Sequence, residues 1–140
     1  MKIKTSELVG AALDWAVAKC LATVHEDGTL NGTTMYGWWI SGLFTDPNYW
    51  IRSDEFNPST DWVQGGSLLE REKLALTYDA HWHYDPTDPE DNGERWYCEL
   101  TEPNEGSSHG RYGPTPLVAA MRCYVASRLG DEVEVPEELV

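Results

Sequence analysis

An α+β fold follows from three features of the 140-residue sequence. Apolar residues recur at helical spacing near each end of the chain, at about residues 6–22 and 116–129. Between them, two runs alternate with the two-residue period of half-buried strands. Seven Trp and seven Tyr supply enough large rings for one core. The expected architecture is a single domain, 1–140, with two main helices packed on one face of a small, mainly antiparallel sheet.

The elements follow in order. Met1 to Lys4 alternates like a short strand. Thr5 or Ser6 then caps a helix, with Glu7 in its first turn. Leu8, Val9, Ala12, Leu13, Trp15, Ala16, Val17 and Cys20 form its apolar stripe, and Asp14 and Lys19 mark its wet side. The turn signal His25-Glu26-Asp27-Gly28 follows. Thr33 to Ile40 is rich in strand formers and places Trp38 and Trp39 on opposite faces, with Tyr49 to Arg52 as the return strand. In the middle of the chain Asn57 caps a short helix beginning at Pro58 and stopped by Gly65, leaning on the core through Trp62 and Val63.

Leu74, Leu76, Tyr78, Ala80, Trp82 and Tyr84 alternate with polar or small residues, and Trp96, Cys98 and Leu100 form a second such run. The acidic, Pro-containing stretch Asp85 to Gly93 joins them as an antiparallel pair. Glu102 to Gly113 has loop composition. Thr115 as cap, Pro116 as first residue and Gly130 as terminator bound the clearest helix. Leu117, Val118, Met121, Val125 and Leu129 form its stripe, with Arg122 and Arg128 elsewhere on the wheel. Val133 and Val135 alternate with Glu132 and Glu134, a strand that can pair with residues 1–4 and set Lys2 and Lys4 near those glutamates.

A net charge of −14 disfavours direct binding to nucleic acid or to an anionic membrane. From Asp79 to Glu105 nine acids face one base, Arg95; such a block reads as a solvated surface. The three cysteines, Cys20, Cys98 and Cys123, show no C-x-x-C spacing and read as reduced thiols of a cytoplasmic protein. No apolar run is long enough to span a membrane.

Three blocks carry a family resemblance: Lys2 to Leu8 running into Ala12 to Ala18; Pro58-Ser59-Thr60-Asp61-Trp62-Val63-Gln64-Gly65-Gly66 through Glu70-Arg71-Glu72; and Gly113 to Ser127 through Gly130-Asp131-Glu132-Val133. The chain resembles the phage and prophage family called NinX, a domain of unknown function. Gly28 to Phe56 and Ala80 to Arg111 stand outside these blocks, as an elaboration. The resemblance implies an accessory protein acting in the host bacterial cytoplasm, and it brings no reaction and no catalytic residues with it.

Several arrangements of residues bear on possible chemistry. His81 and His83 share one strand face with Asp79, a metal-like spacing without a fourth ligand. Asp88, Glu90, Asn92, Gly93 and Glu99 faintly imitate a calcium loop, against which Pro89 counts. Ser59, Ser67, Ser107 and Ser108 lack a nucleophile-elbow sequence, and no phosphate-binding Gly motif occurs. The sequence thus implies no cofactor and no bound metal.

The preferred site joins two polar helix starts. Ser59, Thr60 and Asp61 at one, and Thr115 at the other, lie near backbone N–H groups that welcome anions. Arg71 and Arg111 are expected to complete the pocket, with Trp62 or Tyr112 stacking a flat ligand. The function expected is a non-enzymatic module capturing a small polar or nucleotide-like ligand, in one version a host defence signal. The alternatives are an acidic inhibitor of a host protein that imitates nucleic acid, and an enzyme with an unrecognised site. The chain could also form a homo-oligomer.

Overall fold

Side-chain periodicity and capping place three helices and eight strands in the computed structural model, which describes residues 1–30, 33–41, 48–79, 85–88, 93–100 and 110–140. Strand β1 (Lys2–Lys4) runs into a 3-10 turn, Thr5–Glu7, and helix α1 (Gly10–Leu21). Strands β2 (Ala22–Leu30), β3 (Thr33–Ser41) and β4 (Asn48–Arg52) follow as an antiparallel meander. Helix α2 (Trp62–Arg71) precedes β5 (Leu74–Tyr78), β6 (Trp96–Leu100) and β7 (Arg111–Gly113), a second antiparallel sheet in the order β5-β6-β7. Helix α3 (Pro116–Leu129), β8 (Glu132–Glu134) and a 3-10 turn, Glu137–Leu139, complete the chain.

The α+β class holds, with the antiparallel pairing divided among three small sheets rather than gathered in one. Helix α3 is the centre of the molecule: it packs on all three strands of the β5–β7 sheet and against α1 and α2. Ten consecutive residues, Leu117 to Ala126, are buried. Covered on several sides, α3 therefore has no wet stripe through its middle. Its boundaries follow the capping residues: Thr115 Oγ1 accepts from the Val118 N–H, Pro116 opens the helix, and Gly130 ends it at φ +89°. Strand β8 pairs with β1 in the expected register, Lys2 opposite Glu134 and Lys4 opposite Glu132.

The first helix is shorter than its periodicity predicts. Thr5 does not cap it; its N–H and hydroxyl both donate to the Asp131 carbonyl, and the residue is fully buried. Leu8 is also buried, and its carbonyl is taken by Arg122. The chain re-enters a helix only at Gly10, whose φ of +57° lies in the left-handed region that glycine tolerates. The turn signal at residues 25–28 is overridden by ladder pairing, for β2 runs straight through it opposite Met35 to Trp38.

The central segment differs more. Asn57 and Pro58 begin an isolated turn, with the Thr60 and Asp61 N–H groups donating to the Asn57 carbonyl. The helix proper starts after Asp61, whose carboxylate accepts from the Val63 N–H. Gly65 lies inside α2 instead of ending it. A β-carbon there would overlap the Pro58 carbonyl oxygen and stand 2.8 Å from Leu117 Cδ2. Glycine at this position therefore lets α2 cross tightly between the turn and α3. The buried face is Gln64, Gly65 and Leu68, and Trp62 and Val63 point outward at 56% and 67% exposure. The run from Leu74 is a strand as far as Tyr78, antiparallel to β6 as expected; Ala80 to Tyr84 lie outside the described residues. Arg111–Gly113, read as loop, pairs instead with β6.

Candidate functional site

Helix α1, the turn Ser53 to Thr60 and the C-terminal 3-10 turn surround a partly open cavity of about 570 Å³. Its walls are Gly10, Ala11, Asp14 and Trp15 from the helix, with Ser53, Asp54, Phe56, Asn57 and Thr60 from the turn and Leu139 from the end of the chain. The volume is in the range of small-molecule sites, and Trp15, Phe56 and Leu139 give it an apolar body.

One side-chain amide ties the turn to α2. Gln64 Nε2 donates to the Glu55 carbonyl at 3.1 Å, Asn57 Oδ1 at 3.0 Å and Asp61 Oδ2 at 3.1 Å, while Gln64 Oε1 accepts from the Asn57 N–H at 2.9 Å. Gln64 is itself nearly buried on α2, so the network fastens residues 55–61 to that helix. Phe56, 3% exposed, is the apolar plug of the turn.

Asp14 is the polar centre of the cavity. The residue is 8% exposed and Oδ1 accepts from the Ser59 N–H at 2.8 Å. Its position on an otherwise apolar helix suggests a wet side, yet a partner 45 residues away draws it inward. Burial pushes its carboxyl above the ordinary range, outweighing the bonding to Ser59 that favours the charge. The buried Ser59 hydroxyl lies beside the carboxylate without completing a hydrogen bond of good geometry. Asp54, by contrast, is neutralised: Arg52 Nε and Nη2 donate to its two oxygens at 2.9 and 3.1 Å. Trp15 carries the Lys19 ammonium over its ring, 5.4 Å from the centroid.

Of the residues the sequence nominates, Thr60 lines this cavity and Ser59 supports it from behind Asp14. Asp61 caps α2 and Thr115 caps α3. Trp62 is an exposed ring over Gly66. The Arg71 guanidinium donates to Glu72 at 2.9 Å, and Glu72 also binds Arg128 at 3.2 Å, tying α2 to α3. Arg111 binds Asp131 Oδ1 at 2.6 Å, the Gly110 carbonyl at 2.8 Å and Thr5 Oγ1 at 3.4 Å. Tyr112 packs on Tyr97 with ring centroids 4.8 Å apart; burial and then the Asp79 carboxylate push its hydroxyl up. None of Asp61, Trp62, Arg71, Arg111, Tyr112 and Thr115 lines the cavity.

Arg122, read as lying off the apolar stripe, is 2% exposed. Its Nε donates to the Leu8 carbonyl at 2.8 Å, and its Nη1 to Glu94 Oε2 and the Tyr112 carbonyl, both at 2.9 Å. Cys98 and Cys123 are buried together between β6 and α3; contact with Cys123 and then burial push the Cys98 thiol up. Burial pushes Cys20 up to about 12. Contact with Cys98 pushes the Cys123 thiol down, but all three side chains are taken up by core packing.

Among the described residues no group of three His, Cys, Asp or Glu side chains is placed to hold a metal ion. The His81-x-His83 pair, Glu90 and Asn92 lie outside the described residues. No helix among the described residues is long and apolar enough to cross a membrane.

A search of curated proteins gives no match. The profile described as Bacteriophage P22, NinX, matches residues 4–128, a range that takes in the stretches between the three sequence blocks. With nearly the whole chain covered, and with the blocks at α1, α2 and α3 forming one packed unit, the protein belongs to the NinX family of phage proteins.

Proposed function

We propose that this NinX protein is a non-enzymatic binding module that captures a small polar ligand with a flat or apolar body, as an accessory protein in the cytoplasm of the phage host. The observation that carries the reading is the 570 Å³ cavity, which combines an aromatic and aliphatic body with polar groups at Asp14, Asn57 and Thr60. The family context fits interception of a small host molecule, a defence signal among them. Catalysis would call for a nucleophile beside a base; among the described residues the cavity walls offer Asp14, held by Ser59, and hydroxyls, with no histidine.

Thermal-shift screening of a metabolite library tests the reading, with Ala11→Phe as the control. Ala11 is exposed on the cavity rim, so a larger side chain there obstructs the space without entering the core. A ligand at a hundred times its dissociation constant adds about 2.7 kcal/mol, or roughly 5–10 °C in a chain of this size. Hits that stabilise the wild type and not Ala11→Phe support the proposal. Equal stabilisation of both proteins places binding elsewhere and overturns it.

A further inference from the structure

The charge balance of the cavity narrows the ligand class, an inference that rests on the binding reading above. Among the described residues ten form the walls, and none of these is Lys or Arg. Two are carboxylates, and they differ. Asp54 has both oxygens engaged by Arg52. Asp14 has one oxygen on the Ser59 N–H, is more than nine-tenths buried and has no basic partner among the described residues. It faces a space bounded by Trp15, Phe56 and Leu139.

We propose that the ligand is a small organic cation, a protonated amine carried on a flat apolar body, with its ammonium group paired to Asp14 and its body lying among Trp15, Phe56 and Leu139. A phosphate or carboxylate ligand meets the opposite field: among the described wall residues no cation offsets the repulsion from Asp14, the Lys19 ammonium being held over the Trp15 ring and Arg52 being bound to Asp54 and Glu55. A neutral molecule of the same shape gains the apolar contacts and leaves the second Asp14 oxygen without a charged donor.

Three probes of similar shape and different charge separate these cases: tryptamine, 3-methylindole and indole-3-acetate, titrated at neutral pH into the full chain. Binding is followed by heteronuclear NMR at the Gly10 and Ala11 amides and the Trp15 indole N–H. Tryptamine is expected to bind roughly tenfold or more tightly than 3-methylindole, with indole-3-acetate weakest. Asp14→Asn keeps an oxygen for the Ser59 N–H and is expected to remove the tryptamine advantage while leaving 3-methylindole unchanged.

If 3-methylindole or indole-3-acetate binds as well as tryptamine, or if the advantage survives Asp14→Asn, the cavity binds ligands but the cation assignment falls. If no probe shifts these resonances, the binding reading falls with it. Should Asp14→Asn fail to fold, the carboxyl ¹³C resonance of Asp14 in the wild type decides: it must move with tryptamine and stay still with 3-methylindole, and a resonance unmoved by bound tryptamine overturns the assignment.

Discussion

Two polar regions of this molecule stand in opposition. At the junction of the Thr5–Glu7 turn, β7 and α3, the cations Arg111 and Arg122 are tied to Asp131, Glu94 and the carbonyls of Leu8, Gly110 and Tyr112. At the cavity the sign is reversed and the pairing incomplete: Asp14 is buried with backbone support from Ser59, beside a space of about 570 Å³. A paired buried charge holds elements together, and its loss leaves a stranded partner. A buried charge held on one side only retains capacity for something that is not part of the chain. Arginines look functional in a linear reading, yet here they act as ties between elements.

The largest expected effect comes from breaking the paired region. Arg122→Ala removes donors from Glu94 and two carbonyls at once and is expected to cost about 3–5 kcal/mol, measured by urea unfolding. Gly65→Ala forces apart α2, the Pro58 turn and Leu117, with an expected loss of about 1–3 kcal/mol and weaker ligand binding, because the turn is one wall of the cavity. Arg111→Ala sharpens the contrast: Asp131 is largely exposed and rehydrates, so the expected loss is about 1 kcal/mol with ligand binding intact.

Asp14→Asn tests the cavity through pH. The folded state holds the Asp14 proton more tightly than the unfolded chain does, so this group favours folding at low pH. That contribution fades as pH rises from about 4 through the raised value. Unfolding curves across this window should therefore show Asp14→Asn gaining stability relative to wild type as pH rises. A difference that is flat with pH would contradict the burial argument. The smallest effect expected is at Lys73, which follows α2 at φ +54° and is exposed. Lys73→Gly relieves the left-handed strain and is expected to add about 0.5–1 kcal/mol without changing any cavity property.

Local signals were legible and long-range polar ones were not. Thr115, Pro116 and Gly130 mark α3 because capping is decided within a few residues. The β1–β8 register could be anticipated from alternation and opposite charge. Asp14 and Arg122 were misplaced because periodicity assigns charges to water, whereas these two are drawn inward by Ser59 and by Leu8, Glu94 and Tyr112, far away in sequence. Gly65 was read as a terminator because a glycine stopping a helix and a glycine admitting a neighbour look alike in one dimension. Of the candidate site, Ser59 and Thr60 could be picked out by their place in a polar turn; Trp15 and Phe56 could not, since the space they border exists only once α1 and the turn meet.

The way the Ser53–Thr60 turn is held has an evolutionary consequence. The turn is held by its own backbone turns, by Asp14 and by one glutamine on a neighbouring helix rather than by a strand ladder. Ser53, Asp54 and Thr60 are surface-exposed and make none of the Gln64 bonds, so substitution there leaves that tie in place. Under the proposed capture, three solvent-side positions of the cavity rim could change without disturbing the support behind them.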